Sequence, residues 1–253
     1  KQYLYYDDSI LLKRLSLYPY VQLGVMVLFV LIVYFALIST KKAEQNKVWV
    51  GLSKETAHQL GTPISSLMAW MDLLESSGVD PSLLSDMNKD VNRLSVIAER
   101  FSKIGSKPEM ELIYVNEVLE NATEYMRRRV SDKVLITTHL PSDAEGAMVC
   151  LSLFEWVIEN LCKNAVDAMN GEGRIDVYMT SEKQQIYIDI KDTGKGIARK
   201  NFKTVFNPGY TTKKRGWGLG LTLAKRIIED YHAGRIYVKD SEVGKGTIFR
   251  IEL

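Results

Sequence analysis

The chain has 253 residues, more than one small domain needs, so two or more folded units are expected. Its 33 basic and 31 acidic side chains leave a formal charge of +2 at pH 7, and no basic tail or acidic block singles out nucleic acid as a partner. Cys150 and Cys162 match no metal-ligand spacing and make no disulfide framework, which points to a reducing compartment for the folded part.

One stretch breaks the soluble pattern. Val21 to Ser39, "VQLGVMVLFVLIVYFALIS", carries no charge, and Gln22 near one end is its only strongly polar residue. A bilayer core takes roughly 20 apolar residues in helix, so the stretch is long enough to span. Tyr18 and Tyr20 sit where an interfacial aromatic belt would lie, and no small-residue cleavage site follows. Lys13 and Arg14 precede the span and Lys41, Lys42 and Lys47 follow it, so loop charge does not set its orientation. The first residue is Lys1 rather than Met, which leads us to expect an upstream part.

No proline or glycine interrupts the chain between Gly24 and Gly51, so the spanning helix is predicted to run straight on. Leu52, Leu60, Ile64, Leu67, Trp70, Met71 and Leu74 then fall on one stripe about 120° wide at helical spacing. His58 and Thr62 lie nearly opposite that stripe, one turn apart. "SSGVDPS" supplies a turn, after which Leu84, Met87, Val91, Leu94, Ala98, Phe101 and Ile104 mark a second amphipathic helix. Gly105 and Pro108 end it. Two helices with one apolar face each enclose no core alone, so two copies are expected to pack as a four-helix bundle, a homodimer.

Beyond the hairpin, strand and helix signals alternate. The spacing predicts strands at 113–115, 134–140, 175–179, 186–190, 235–239 and 247–252, with helices at 116–130, 153–169 and 219–231. The order describes an α+β sandwich, a mixed sheet with helices on one face.

Chemistry is concentrated in a few short stretches of this second unit. "ENLCKNAVDAM" puts Asn160 and Asn164 one helical turn apart, where two amide oxygens can face a cation. "DTGKGI" ends a strand with Asp192 and continues with Gly194 and Gly196, which let backbone approach a ligand closely. "GWGLGL" sets Gly216, Gly218 and Gly220 before a helix start, a common place for phosphate oxygens. "GKGTIF" brings Thr247 to a strand start. No G-x-x-x-x-G-K-[ST] loop and no eukaryotic-type kinase signature is present.

Taken together and in this order, the stretches resemble a membrane-bound bacterial sensor histidine kinase from about Lys47 to Leu253. "HQLGTP" is similar to the phosphoacceptor box, "ENLCKNAVDAM" to the N box, and the three glycine stretches to the glycine boxes. "NFKTVFNPGYTTKK" resembles the phenylalanine box and a short ATP lid. The resemblance implies the ATP-binding sandwich shared with gyrase, a heat-shock chaperone and mismatch-repair ATPases, with ATP and Mg²⁺ as cofactors. It implies that Asp192 accepts from the adenine amino group and that Asn164 ligates Mg²⁺, with Asn160 and Lys163 near the phosphates. The resemblance also implies that Gly194 and Gly196 belong to the same nucleotide site, with Gly216, Gly218 and Gly220 at the phosphates. Lys213 is implied as a γ-phosphate contact and Thr247 as an adenine neighbour. His58 is implied as the acceptor that passes phosphate to an aspartate of a response regulator; His139 and His232 are read as structural.

The implied domains are an extramembrane stub at 1–19, a transmembrane helix at 20–40, a dimerisation and phosphotransfer hairpin at 41–107, and an ATP-binding domain at 108–253. The need for ATP implies that the catalytic part faces the cytoplasm from a bacterial inner membrane. One departure matters. After the phosphoacceptor the family commonly has Glu or Asp, which takes the imidazole proton, and this chain has Gln59. An amide oxygen orients an N–H but does not accept its proton. Glu55, three residues before His58, is the neighbouring carboxylate at contact spacing. Gln59 therefore keeps open an alternative in which the same fold acts mainly as a response-regulator phosphatase, with Thr62 orienting water, or as a nucleotide-gated scaffold.

Overall fold

The structure, a computed structural model, describes residues 10–253 apart from 107, 144 and 214–217. It opens with one 67-residue helix, α1 (Ile10–Ser76), so the predicted apolar span does run on without a break. Within α1, Leu17–Lys41 is long and apolar enough to cross a membrane and is buried against none of the described residues. Pro63 also lies inside α1. It has no N–H to offer the carbonyl of Gln59, so the helix is loosened at the turn that carries His58.

Helix α2 (Pro81–Gly105) starts cleanly because Asp80 caps it, accepting from the Ser82 N–H at 2.9 Å and the Ser82 hydroxyl at 2.8 Å, with Pro81 in the first turn. The two helices pack antiparallel through Ile64, Met71, Val91 and Ala98, with Leu60 against them. The predicted stripe is thus only partly covered within one chain: Leu52, Leu67, Trp70, Met87 and Leu94 stay exposed. Two cylinders touch along a line, so the rest of each apolar face is left uncovered by the described residues.

The C-terminal unit is a sandwich. Its sheet has the order β2-β4-β5-β7-β6, built from β2 (Val134–His139), β4 (Gly173–Glu182), β5 (Gln185–Asp192), β6 (Arg235–Glu242) and β7 (Gly246–Glu252). The β2–β4 pair is parallel and the other pairs are antiparallel. Helices α3 (Val115–Arg127), α4 (Leu151–Ala168) and α5 (Gly220–Arg226) cover one face. Ile186, Ile188 and Ile190 of β5 point into that core, while Asp189 on the outer face receives a forked Arg250 guanidinium from β7 at 2.6 and 2.7 Å.

Two local readings differ from the sequence expectation. A short strand, β3 (Gly146–Val149), pairs with β1 (Glu111–Tyr114), although Gly146, Ala147 and Met148 carry no strand preference. The helix expected at 219–231 stays α-helical only to Arg226, and Ile227–Tyr231 widens into a π turn. Both cysteines are free and buried in the core, which pushes the Cys162 thiol up to about 12.

The hairpin and the sandwich meet at the end of α2. Arg100 forks onto Glu159 of α4 at 2.6 and 2.9 Å, and Phe101 stands edge-on to Trp156 at 5.9 Å. The Tyr231 hydroxyl donates to the Ile104 carbonyl at 2.6 Å, and Ile104 is fully buried in the sandwich core.

Candidate functional site

A cavity of about 430 Å³ opens between α4, the end of β5, the start of β7 and the loop that precedes α5. That volume suits one small organic ligand. Its floor follows from α4, whose Leu153, Phe154, Val157, Ile158, Leu161 and Cys162 are buried. Each buried chain of this size contributes about 1.5–3 kcal/mol, so the helix is held firmly. Asn160, Asn164 and Asp167, at i, i+4 and i+7, are thereby held in the cavity wall with Lys163 beside them.

Of the residues expected from the sequence, Asn160, Lys163, Asn164, Asp192, Gly196, Lys213, Gly218, Gly220 and Thr247 all line the one cavity. Gly194 does not. It is buried behind the wall, where a Cβ would run into the backbone of Ala168, and its N–H donates to Asp192 Oδ1 at 2.8 Å. Gly216 lies outside the described residues. Gly196 has a φ of +71° and its back against the carbonyl of Glu242, so both conformation and space require glycine there.

The electrostatics sort the cavity into two ends. At one end Asp192 is buried, and burial pushes its carboxyl above the ordinary value, against the opposing pull of the Gly194 and Thr247 N–H groups. Ile197, Val205, Leu221 and Phe249 supply apolar wall. At the other end Asn160 Nδ2 donates to the Gly220 carbonyl at 2.5 Å, tying α4 to the start of α5. Lys213 Nζ donates to Asn164 Oδ1 at 2.9 Å and to Asp167 Oδ2 at 2.5 Å. Lys195 Nζ donates to Thr212 Oγ1 at 2.9 Å at the mouth. An apolar slot with one buried acceptor, next to a polar end rich in ammonium and amide groups, fits a flat heterocycle carrying phosphates.

Sequence reasoning missed Asp167, Lys195, Asn201 and Tyr210, all of which line the cavity. Asp167 stood three residues after Asn164 in the quoted stretch, and that spacing was the available signal.

The second group of expected residues lies on α1. His58, Gln59, Thr62 and Glu55 are exposed, and none of them lines the cavity. His58 and Thr62 border a groove of about 630 Å³ between α1 and α2. Gln59 Nε2 donates to Glu55 Oε1 at 2.7 Å, and the Thr62 hydroxyl leans on the His58 carbonyl at 3.4 Å. The other two histidines sit in the sandwich. His139 stacks on Tyr178, and His232 is buried between the Cys150 N–H and the Ile227 carbonyl.

Residues 151–253 match the family described as histidine kinase-, DNA gyrase B-, and HSP90-like ATPase. Sporulation kinase E of Bacillus subtilis is 29% identical over 220 residues, covering 84% of this chain and 29% of its own length. Sensor histidine kinase ZraS of Salmonella typhimurium is 26% identical over 226 residues, covering 86% of this chain and 48% of its own length. The chain is similar to sensor histidine kinases, and its residues 151–253 carry their ATPase module. It spans less than half of either relative. The fold of this chain is also that of the solved histidine kinase ThkA in complex with the response regulator protein TrrA, with a TM-score of 0.55 at 19% identity, over 84% of this chain and 64% of that one.

Proposed function

We propose that this chain is an ATP-dependent protein-histidine kinase that phosphorylates its own His58 and passes the phosphate to an aspartate of a response-regulator receiver domain. The observation that carries the reading is the joining of Asn160, Asn164, Asp192, Lys213 and Thr247 around one cavity in a chain that also presents His58 on an open helix face. Adenine fits the apolar end, its amino group donating to Asp192. The phosphates fit the polar end, beside Lys163, Lys213 and the backbone at Gly218 and Gly220.

The residues also fit Mg²⁺. Asn164 Oδ1 already accepts from a cation, the Lys213 ammonium, so its lone pairs are turned toward a positive charge. Asn164 would hold the metal, which when bound neutralises charge on the phosphate oxygens. A ring nitrogen of His58 attacks the γ-phosphorus, the N–P bond forms and the bond to the ADP oxygen breaks. The imidazole must then shed a proton, for which Glu55 is the nearby carboxylate and Gln59 is not an acceptor.

The exposed apolar residues of the hairpin, Leu52, Leu67, Trp70, Met87 and Leu94, support a homodimer in which two hairpins make a four-helix bundle. The exposed Leu17–Lys41 segment supports anchoring in the inner membrane, with the ATP site on the cytoplasmic side. The boundaries that go with this reading are 1–19, 20–40, 41–107 and 108–253. A second reading, phosphatase of the response regulator, is favoured by the exposed Thr62 hydroxyl one turn from His58 and by the missing acid at Gln59.

Incubation with γ-labelled ATP and Mg²⁺ tests the proposal. Acid-labile, base-stable label on the chain, absent from His58→Gln, is the expected result. Free phosphate without labelled protein overturns it, as does label that persists in His58→Gln. Loss of label from a phosphorylated receiver domain, with none formed on His58, supports the phosphatase instead.

A further inference from the structure

Asp167 has no place in the mechanism just described, yet it shares a cation with the residue that does. The Lys213 ammonium is gripped by Asn164 Oδ1 at 2.9 Å and Asp167 Oδ2 at 2.5 Å, two oxygens from one face of α4, a turn apart. Both oxygens lie in the wall of the cavity, at the end that suits phosphates. An amide oxygen and a carboxylate oxygen converging on one positive centre form half of a hard-cation site, and the usual completion is phosphate oxygens and water.

The charge balance favours a metal over a mere pairing. With Lys213 swung to a phosphate, Asp167 would face a polyanion with like charge, unless a cation lies between the two. The Lys213–Asp167 pair is itself more than a third exposed on both sides, so it is weakly held and easily exchanged. A divalent ion brings twice the charge of the ammonium to the same two oxygens.

Resting on the reading of this cavity as an ATP and Mg²⁺ site, we propose that Asp167 is a second protein ligand, with Asn164, of the divalent cation that accompanies the nucleotide. Lys213 competes with that cation for the same pair of oxygens and is released to the phosphates when the cation binds. Asp167 thereby makes nucleotide binding depend on metal, because without a metal its carboxylate repels the phosphates.

Calorimetric titration of the whole chain, in detergent micelles, with the β,γ-imido analogue of ATP tests this in excess Mg²⁺ and in EDTA. Asp167→Asn should weaken binding about tenfold in Mg²⁺. In EDTA it should leave binding unchanged or tighten it, so the ratio of the two affinities collapses toward one. Asp167→Glu, which keeps a carboxylate, should retain metal dependence and covers the case in which the asparagine variant fails to fold. Mn²⁺ bound with the analogue, counted by electron paramagnetic resonance, should fall in Asp167→Asn.

An unchanged Mg²⁺-to-EDTA ratio in Asp167→Asn, with the wild-type chain showing clear metal dependence, overturns the proposal and leaves the nucleotide reading intact. An equal loss in both conditions also overturns it, because a residue that only props the helix would act that way. A wild-type chain that binds no analogue in either condition removes the nucleotide reading and this proposal with it.

Discussion

Gln59 and Glu55 hold each other across one turn of α1: the amide Nε2 donates to the carboxylate Oε1 at 2.7 Å, directly beside His58. The contact occupies one of the amide's two N–H donors and one oxygen of the only carboxylate at that spacing before His58. Glu55 is therefore partly committed to fixing Gln59, and its second oxygen is what remains for a proton.

From this geometry Gln59→Glu should raise the autophosphorylation rate. It adds a carboxylate acceptor beside the ring, one helical turn from Glu55. A positioned base is worth about 10²–10⁴ in rate, and an open helix site belongs at the low end. Glu55→Gln should lower the rate. Single-turnover labelling at saturating ATP decides: if both variants match wild type, water takes the proton and neither side chain acts as a base.

What the sequence disclosed followed from periodicity and from short stretches held by one element. The apolar span, the hairpin and the sandwich strands have regular spacing, and Asn160 and Asn164 share one helix. The rest depends on residues far apart in the chain. Lys213 meets Asp167 only because residues 210–213 come up against α4, and Arg100 meets Glu159 only because α2 ends against the sandwich. No local pattern encodes those approaches. β3 was invisible because four residues pairing at a sheet edge need neither alternation nor β-branched side chains.

The Arg100–Glu159 pair should govern how firmly the sandwich docks on the hairpin. Side-chain exposures of 13% and 19% mean that removing one partner leaves a largely desolvated charge. Glu159 also directly precedes Asn160, so the latch sits beside the cavity wall. Arg100→Ala should weaken docking by about 1–3 kcal/mol and speed amide exchange from Ile104 to Ile113. If the transfer to His58 requires the sandwich to leave this position, the labelling rate rises as well. Exchange rates equal to wild type would show that Phe101, Ile104 and Tyr231 hold the junction without the ion pair.

Stability should fall as the solution is acidified through the histidine range. His232 accepts from the Cys150 N–H through Nε2 at 3.0 Å and lies 2.7 Å from the Ile227 carbonyl through Nδ1, so the neutral ring with Nδ1–H is the form that fits. Burial pushes its pKa below the ordinary value. The unfolded chain then takes up the proton first, so the stability present above about pH 6.5 is lost as pH falls toward the lower folded value. Thermal unfolding of the wild type against His232→Gln between pH 7.5 and 5, roughly spanning that range, should give a flatter curve for the variant. Parallel curves would assign the acid sensitivity to other groups.

Asp192 should set both the base preference and the pH dependence of nucleotide binding. Its Oδ1 is taken by the Gly194 N–H at 2.8 Å, and the carboxylate is the buried acceptor at the apolar end of the cavity. Asp192→Asn keeps the size and can keep the bond to Gly194 through its amide oxygen. It then presents an NH₂ donor where adenine brings another donor. ATP affinity should fall about 10–100-fold, within the range found when a buried polar partner is left unmatched. Inosine triphosphate, which has an oxygen in place of the amino group, should lose less or bind better than to wild type. Because burial raises the Asp192 pKa, the carboxylate is protonated earlier than an ordinary one as pH falls. A protonated Asp192 offers a donor, so wild-type affinity for ATP should decline on acidification while the asparagine variant stays level. Calorimetry with both nucleotides across that pH range separates the outcomes. Equal losses for ATP and inosine triphosphate, or the same pH profile in both proteins, would move the adenine contact away from Asp192.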